Sequence, residues 1–92
     1  MTNKQKAYND VVDYIFTDAL NGKEFSEEEL NNMLCYSIAI HSKDKRILAL
    51  RTDKKNMNSV KKSIVQEYTN ESTQRMASSI KRSFDNVNRR YN

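Results

Sequence analysis

A chain of 92 residues with no proline and a single glycine, Gly22, has few means of making the tight turns that sandwiches and barrels need. At average usage this length would carry about four or five prolines and six glycines. Helices joined by short links are the expected outcome. The apolar share of 37% fits one small core, and those residues keep a regular spacing despite a mean hydropathy of −0.91. The expectation is an all-α, compact bundle of four to five helices forming a single domain over residues 1–92.

The first helix is expected from about Asn3 to Leu20, with Tyr8, Val11, Val12, Ile15, Phe16 and Ala19 at three- and four-residue spacings. Asn21 and Gly22 end it, with Gly22 suited to a left-handed C-cap. Ser26 followed by Glu29 is a capping box, and Phe25 and Leu30 are spaced to staple around it. Glu27, Glu28 and Glu29 fall where the helix dipole favours carboxylates. The second helix is expected to reach about His41, burying Leu30, Met33, Leu34 and Ile38, with Tyr36 and Ile40 on its flanks.

Ile47-Leu48-Ala49-Leu50 is a short apolar run compatible with a helical turn or a strand. No partner strand is visible elsewhere, so a helix started by Ser42, with Asp44 in its first turn, is preferred. Thr52 to Asn56 reads as a loop. Met57, Val60, Ile64, Val65 and Tyr68 then line a helix ending near Thr69. The last helix is the longest, with Ser72 as its expected N-cap and Met76, Ile80, Phe84, Val87 and Tyr91 as its buried stripe. The expected core joins Tyr8, Val12, Ile15, Leu30, Leu34, Ile38, Leu48, Ile64, Tyr68, Met76, Ile80, Phe84 and Val87.

The net charge of +4 conceals an asymmetry. Residues 1–41 hold three lysines against seven carboxylates, and residues 42–92 hold 13 Lys and Arg against five. The halves are therefore −4 and +8, so a polyanion would be met by the second. Within it, Arg75, Arg82 and Arg89 lie one heptad apart on the last helix, roughly opposite the apolar stripe. Ser79 and Asn86 lie beside them, and Lys81 and Arg90 on the shoulders.

Helix 57–68, a short link and the helix from Ser72 have the layout of a helix-turn-helix. In that unit the outward face of the second helix enters the major groove, where forked arginine donors suit both phosphates and base edges. Lys61, Lys62, Lys54 and Lys55 extend the footprint, and Gln74 adds a hydrogen-bonding side chain. Ile64 to Tyr68 and Arg75 to Asp85 resemble the helix-turn-helix in the effector domain of the sporulation master response regulator. The shared features are the Ile and Tyr of the bracing helix, the Arg, an Ile followed by a basic residue, and an apolar–acidic pair. The likeness implies architecture alone. The link here is one residue longer, and Ala77 and Ser78 replace that family's acidic and basic residues.

Other features point away from catalysis. His41 and Cys35 lack clustered partners, so no metal site, nucleophile or cofactor is expected. The triple glutamate reads as helix capping, and Asn70-Glu71-Ser72 as an accidental glycosylation match. Tyr14 and Tyr36, off the main apolar faces, suit partner contact or base stacking. No run of apolar residues is long enough to span a membrane, and Asp10 and Asp13 interrupt any signal-peptide core. With one cysteine, a cytoplasmic location is expected. Eleven Asn and ten Lys against six Arg fit an AT-rich bacterial genome, phage or plasmid.

The expected function is that of a non-enzymatic, duplex-DNA-binding regulator of transcription or replication, as a homodimer where half-sites are paired. Its expected contact residues are Arg75, Ser79, Lys81, Arg82, Asn86, Arg89, Arg90, Lys61 and Lys62. The alternative is an inhibitor or adaptor of the phage or plasmid type, such as an anti-CRISPR or anti-restriction protein, that binds a host protein or nucleoprotein complex.

Overall fold

The computed structural model describes residues 1–19, 24–52 and 55–91, with the side chains of 18–19, 51–52 and 87–91 excepted. Its helices are α1 (Asn3–Ala19), α2 (Glu27–His41), α3 (Lys45–Thr52), α4 (Met57–Tyr68) and α5 (Glu71–Tyr91). Among the described residues there is no strand, and the Ile47-to-Leu50 run is helical. The all-α bundle expected from the sequence is the architecture found.

α2 is the hub, because it packs against α1, α4 and α5, whereas α3 rests on α4. Its start is fixed locally: the Ser26 hydroxyl oxygen accepts the Glu29 amide at 3.1 Å, and that hydroxyl donates to the Glu29 carboxylate at 3.4 Å. Phe25 packs on the core around the buried Leu30, as the staple requires. The expected Gly22 cap lies outside the described residues.

The central cluster joins Val11 and Ile15 of α1, Leu30 and Leu34 of α2, and Ala77 and Ile80 of α5. Tyr8, Val12, Met33, Met76 and Phe84 pack around it half-buried. The buried line of α5 is therefore Thr73, Ala77 and Ile80, slightly rotated from the expected Met76-to-Tyr91 stripe. Small residues let two helices approach closely, and a search for large apolar side chains overlooks them. Ala7, Cys35, Ser37 and Ala39 are buried for the same reason. Val87 and Tyr91 fall outside the described side chains.

Leu48, expected in the core, faces outward at 67% exposure, and Phe16, expected on the apolar face of the first helix, is 57% exposed. α3 packs substantially on only one neighbour, so its four-residue apolar run has just one side to bury. On α1, Phe16 sits well round the helix from the Val11–Ile15 line. Tyr68, also placed in the core, is half-buried.

The α2–α3 turn departs from the expected start of α3. Ser42 ends α2, and its amide bonds to the Ile38 carbonyl at 2.9 Å. The Lys43 and Asp44 amides reach back to the carbonyls of Ile40 at 3.1 Å and Ala39 at 3.0 Å, closing a Schellman motif. Its left-handed position, usually glycine, is occupied by Lys43 with φ 57°. Asp44, rather than Ser42, opens α3: its carboxylate accepts the Arg46 amide at 2.9 Å.

Asp44 also ties α3 to α4. One oxygen accepts from Arg46 Nε at 3.1 Å, and the other from an Arg46 terminal nitrogen at 2.7 Å and the Tyr68 hydroxyl at 2.9 Å. Arg46 completes the clamp on Glu67 at 2.8 Å and lies 5.8 Å from the Tyr68 ring centre. Hydrogen bonds from Arg46 hold the Asp44 carboxyl far below the usual carboxylate range.

Only Thr69 and Asn70 separate α4 from α5, the chain order of a helix-turn-helix, but α4 does not brace α5 as that layout expects: each packs on α2 rather than on the other. Asn70, not Ser72, caps α5: its side-chain oxygen accepts the Thr73 amide at 2.9 Å. Thr73 is fully buried, with its hydroxyl 3.4 Å from the Tyr68 carbonyl. The Thr69 hydroxyl meets Asn31 at 3.3 Å and the Cys35 sulfur at 3.4 Å, fastening the link to α2.

Candidate nucleic-acid interface

Burial of Thr73, Ala77 and Ile80 dictates what α5 offers to solvent. At about 100° per residue, Arg75, Ser79, Arg82 and Asn86 fall on the opposite side of the helix. All four are exposed, as are Gln74 and Ser83. The Arg75 side chain is 77% exposed and forms a pair with Glu71 at 2.5 Å, one turn earlier. Such an exposed pair is worth less than about 1 kcal/mol, so Arg75 is readily exchanged onto a phosphate. Arg82 has no ion pair among the described residues. The face thus combines two guanidinium groups with short hydroxyl and amide side chains, a set able to bind phosphates and base edges.

The structure does not bring every expected contact residue to this face. Lys81 is half-buried beside it, donating to the Phe25 carbonyl at 3.4 Å and lying 3.8 Å from Asp85. It secures α5 to the entrance of α2. Lys61 and Lys62 lie on α4 and line a separate groove against α2, with Tyr36, Asn32, Asn58 and Glu28. The side chains of Arg89 and Arg90 lie outside the described residues, as does Lys54.

The sequence reading passed over Ser78 and Ser83, which flank the arginine line. Their three- and four-residue spacing from Arg75, Ser79 and Arg82 was the available signal. It also passed over the α2–α4 groove, whose α2 wall shows only as the four-residue spacing of Glu28, Asn32 and Tyr36.

Elsewhere the polar groups are structural. His41 Nε2 meets Asp10 Oδ2 at 2.5 Å and joins α2 to α1. Cys35 is fully buried, and burial pushes its thiol up, against thiolate formation. Among the described residues no three His, Cys, Asp or Glu side chains gather to hold a metal ion. No described helix is long and apolar enough to cross a membrane.

Comparison with known protein families, characterised proteins and solved structures finds no match to this chain. The likeness of residues 64–85 to the response-regulator motif therefore remains one of residues and layout.

Proposed function

We propose that this is a small, non-enzymatic DNA-binding regulator whose α5 lies in the major groove of duplex DNA. One observation carries the reading: the buried line of α5 stands opposite an exposed line of Arg75, Ser79, Arg82 and Asn86. A major groove about 12 Å wide admits a helix presented in this way. The +8 charge of residues 42–92 supplies long-range attraction to the phosphates. Pairing of half-sites would make the working unit a homodimer, acting in the cytoplasm of a bacterium or on behalf of a phage or plasmid.

Titration of labelled duplex at several salt concentrations tests this reading. Wild type is expected to bind at micromolar or lower concentration, and Arg82→Gln to flatten the plot of log affinity against log salt by about 0.9. Stability should change by less than about 0.5 kcal/mol, because the position is exposed. Absence of duplex binding at low salt would overturn the proposal.

A second reading, an inhibitor or adaptor for a host protein or nucleoprotein complex, is favoured by α1. It exposes Tyr14 and Phe16 near Asp13, a mixture suited to a protein partner. Under that reading Phe16→Ser breaks a stoichiometric host-protein complex and leaves duplex titrations unchanged.

A further inference from the structure

The groove between α2 and α4 shares no residue with the α5 face. Glu28, Asn32 and Tyr36 form its α2 wall, four residues apart and therefore aligned along one side of the helix. The facing wall carries Asn58, Lys61 and Lys62 of α4. About 530 Å³ of open groove lies between them, room for one nucleotide-sized ligand lying along the surface.

The chemistry of the walls narrows the ligand. Neither lysine forms an ion pair with a described residue, so two ammonium groups are available to an anion. Tyr36 is half-buried in the wall, and burial pushes its phenol up, so it remains neutral at physiological pH. Asn32 and Asn58 supply amide donors and acceptors of the kind that read base edges. Glu28 disfavours an acidic peptide, yet it can accept hydrogen bonds from a sugar hydroxyl or an exocyclic amine. An aromatic ring, paired cations and flanking amides are the set that holds a base and its phosphate together.

We propose that the α2–α4 groove binds a nucleotide unit, with the base against Tyr36 and the phosphate on Lys61 and Lys62. The unit comes either as a free nucleotide or as part of a single strand. This site is independent of duplex binding by α5.

Amide NMR titrations of the full chain with AMP, ribose 5-phosphate and hexathymidylate test the proposal. AMP or the hexamer is expected to shift the signals of Asn32, Tyr36, Lys61 and Lys62, with ribose 5-phosphate far weaker. Tyr36→Ala should weaken binding at least about five-fold, and Tyr36→Phe should largely retain it. Lys61→Gln with Lys62→Gln should lower affinity and flatten the salt dependence by about 0.7 per lost contact on the hexamer. This pair tests the site even if Tyr36→Ala fails to fold. Hexamer binding at least about ten-fold tighter than AMP assigns the single strand, and comparable affinity assigns the free nucleotide. Equal binding of ribose 5-phosphate and AMP, shifts confined to α5, or unchanged affinity in the lysine pair overturns the proposal. Arg82→Gln should leave these titrations unaltered, so failure here is separable from failure of the duplex reading.

Discussion

Lys43 and Asp44, adjacent in the α2–α3 turn, work in opposite directions. Lys43 holds a left-handed conformation that costs a residue with a Cβ about 1 kcal/mol, and the chain's single glycine is elsewhere. Lys43→Gly is therefore expected to raise stability by about 0.5–1 kcal/mol in denaturant melts, despite the extra freedom glycine gives the unfolded chain. A loss would show that this turn is unstrained. Asp44 accepts four hydrogen bonds, three from Arg46 and one from Tyr68, so Asp44→Ala should cost about 2 kcal/mol or more. Tyr68→Phe removes one of them and should cost about 1 kcal/mol. Because the folded-state pKa of Asp44 is depressed, its contribution is complete above the ordinary aspartate pKa of about 3.9. It declines as the pH falls below that value and is lost once the folded carboxyl protonates. Stability measured from pH 6 down to pH 2 should thus fall less steeply in Asp44→Asn than in wild type. Equal slopes would contradict the depressed pKa.

At the scale of the helix, local rules carried the sequence reading and tertiary packing set its limits. Ser26 with Glu29 announced the start of α2 because capping depends on residues three apart, and the bond is present. Ser26→Ala is expected to cost about 1 kcal/mol while leaving duplex binding unchanged. Ser42 and Ser72 are equally good caps by composition, yet Asp44 and Asn70 take those roles, because neighbouring turns decide which side chain faces the free amides. Arg75 and Arg82 were legible as an exposed line from heptad spacing alone. The Tyr36–Lys61–Lys62 groove was not, since only the packing of α4 on α2 brings those residues together. The buried line of α5 is slightly rotated from the expected stripe, with energetic consequences. Phe84 is half-buried and Ile80 is 1% exposed, so Ile80→Ala should cost about 2–5 kcal/mol and Phe84→Ala less than the 3–5 kcal/mol of a fully buried ring. Chemical melts that rank Phe84→Ala as the more damaging change would reverse this picture.

Across the molecule, the arrangement of helices around α2 sets an order of local stability. α1, α4 and α5 each pack against α2, and the Val11, Ile15, Leu30, Leu34, Ala77 and Ile80 cluster binds α1, α2 and α5 into one cooperative unit. α3 has no buried residue among its described side chains and rests on α4, held by the Asp44–Arg46–Tyr68–Glu67 network. Opening α3 therefore exposes little apolar surface and breaks chiefly polar contacts. Regions with few buried contacts exchange their amides through local opening, at a free energy well below global unfolding. Native-state hydrogen exchange is expected to show α2 and the Thr73-to-Ile80 stretch of α5 opening only with the whole fold, and α3 opening first. Tyr68→Phe should then accelerate exchange in α3 by about five-fold, the equivalent of about 1 kcal/mol, while α1 slows or quickens only with global stability. If α3 instead exchanged together with α2, the polar network would be coupled to the core. Uniform acceleration across all helices in Tyr68→Phe is the result that would refute a separately opening α3.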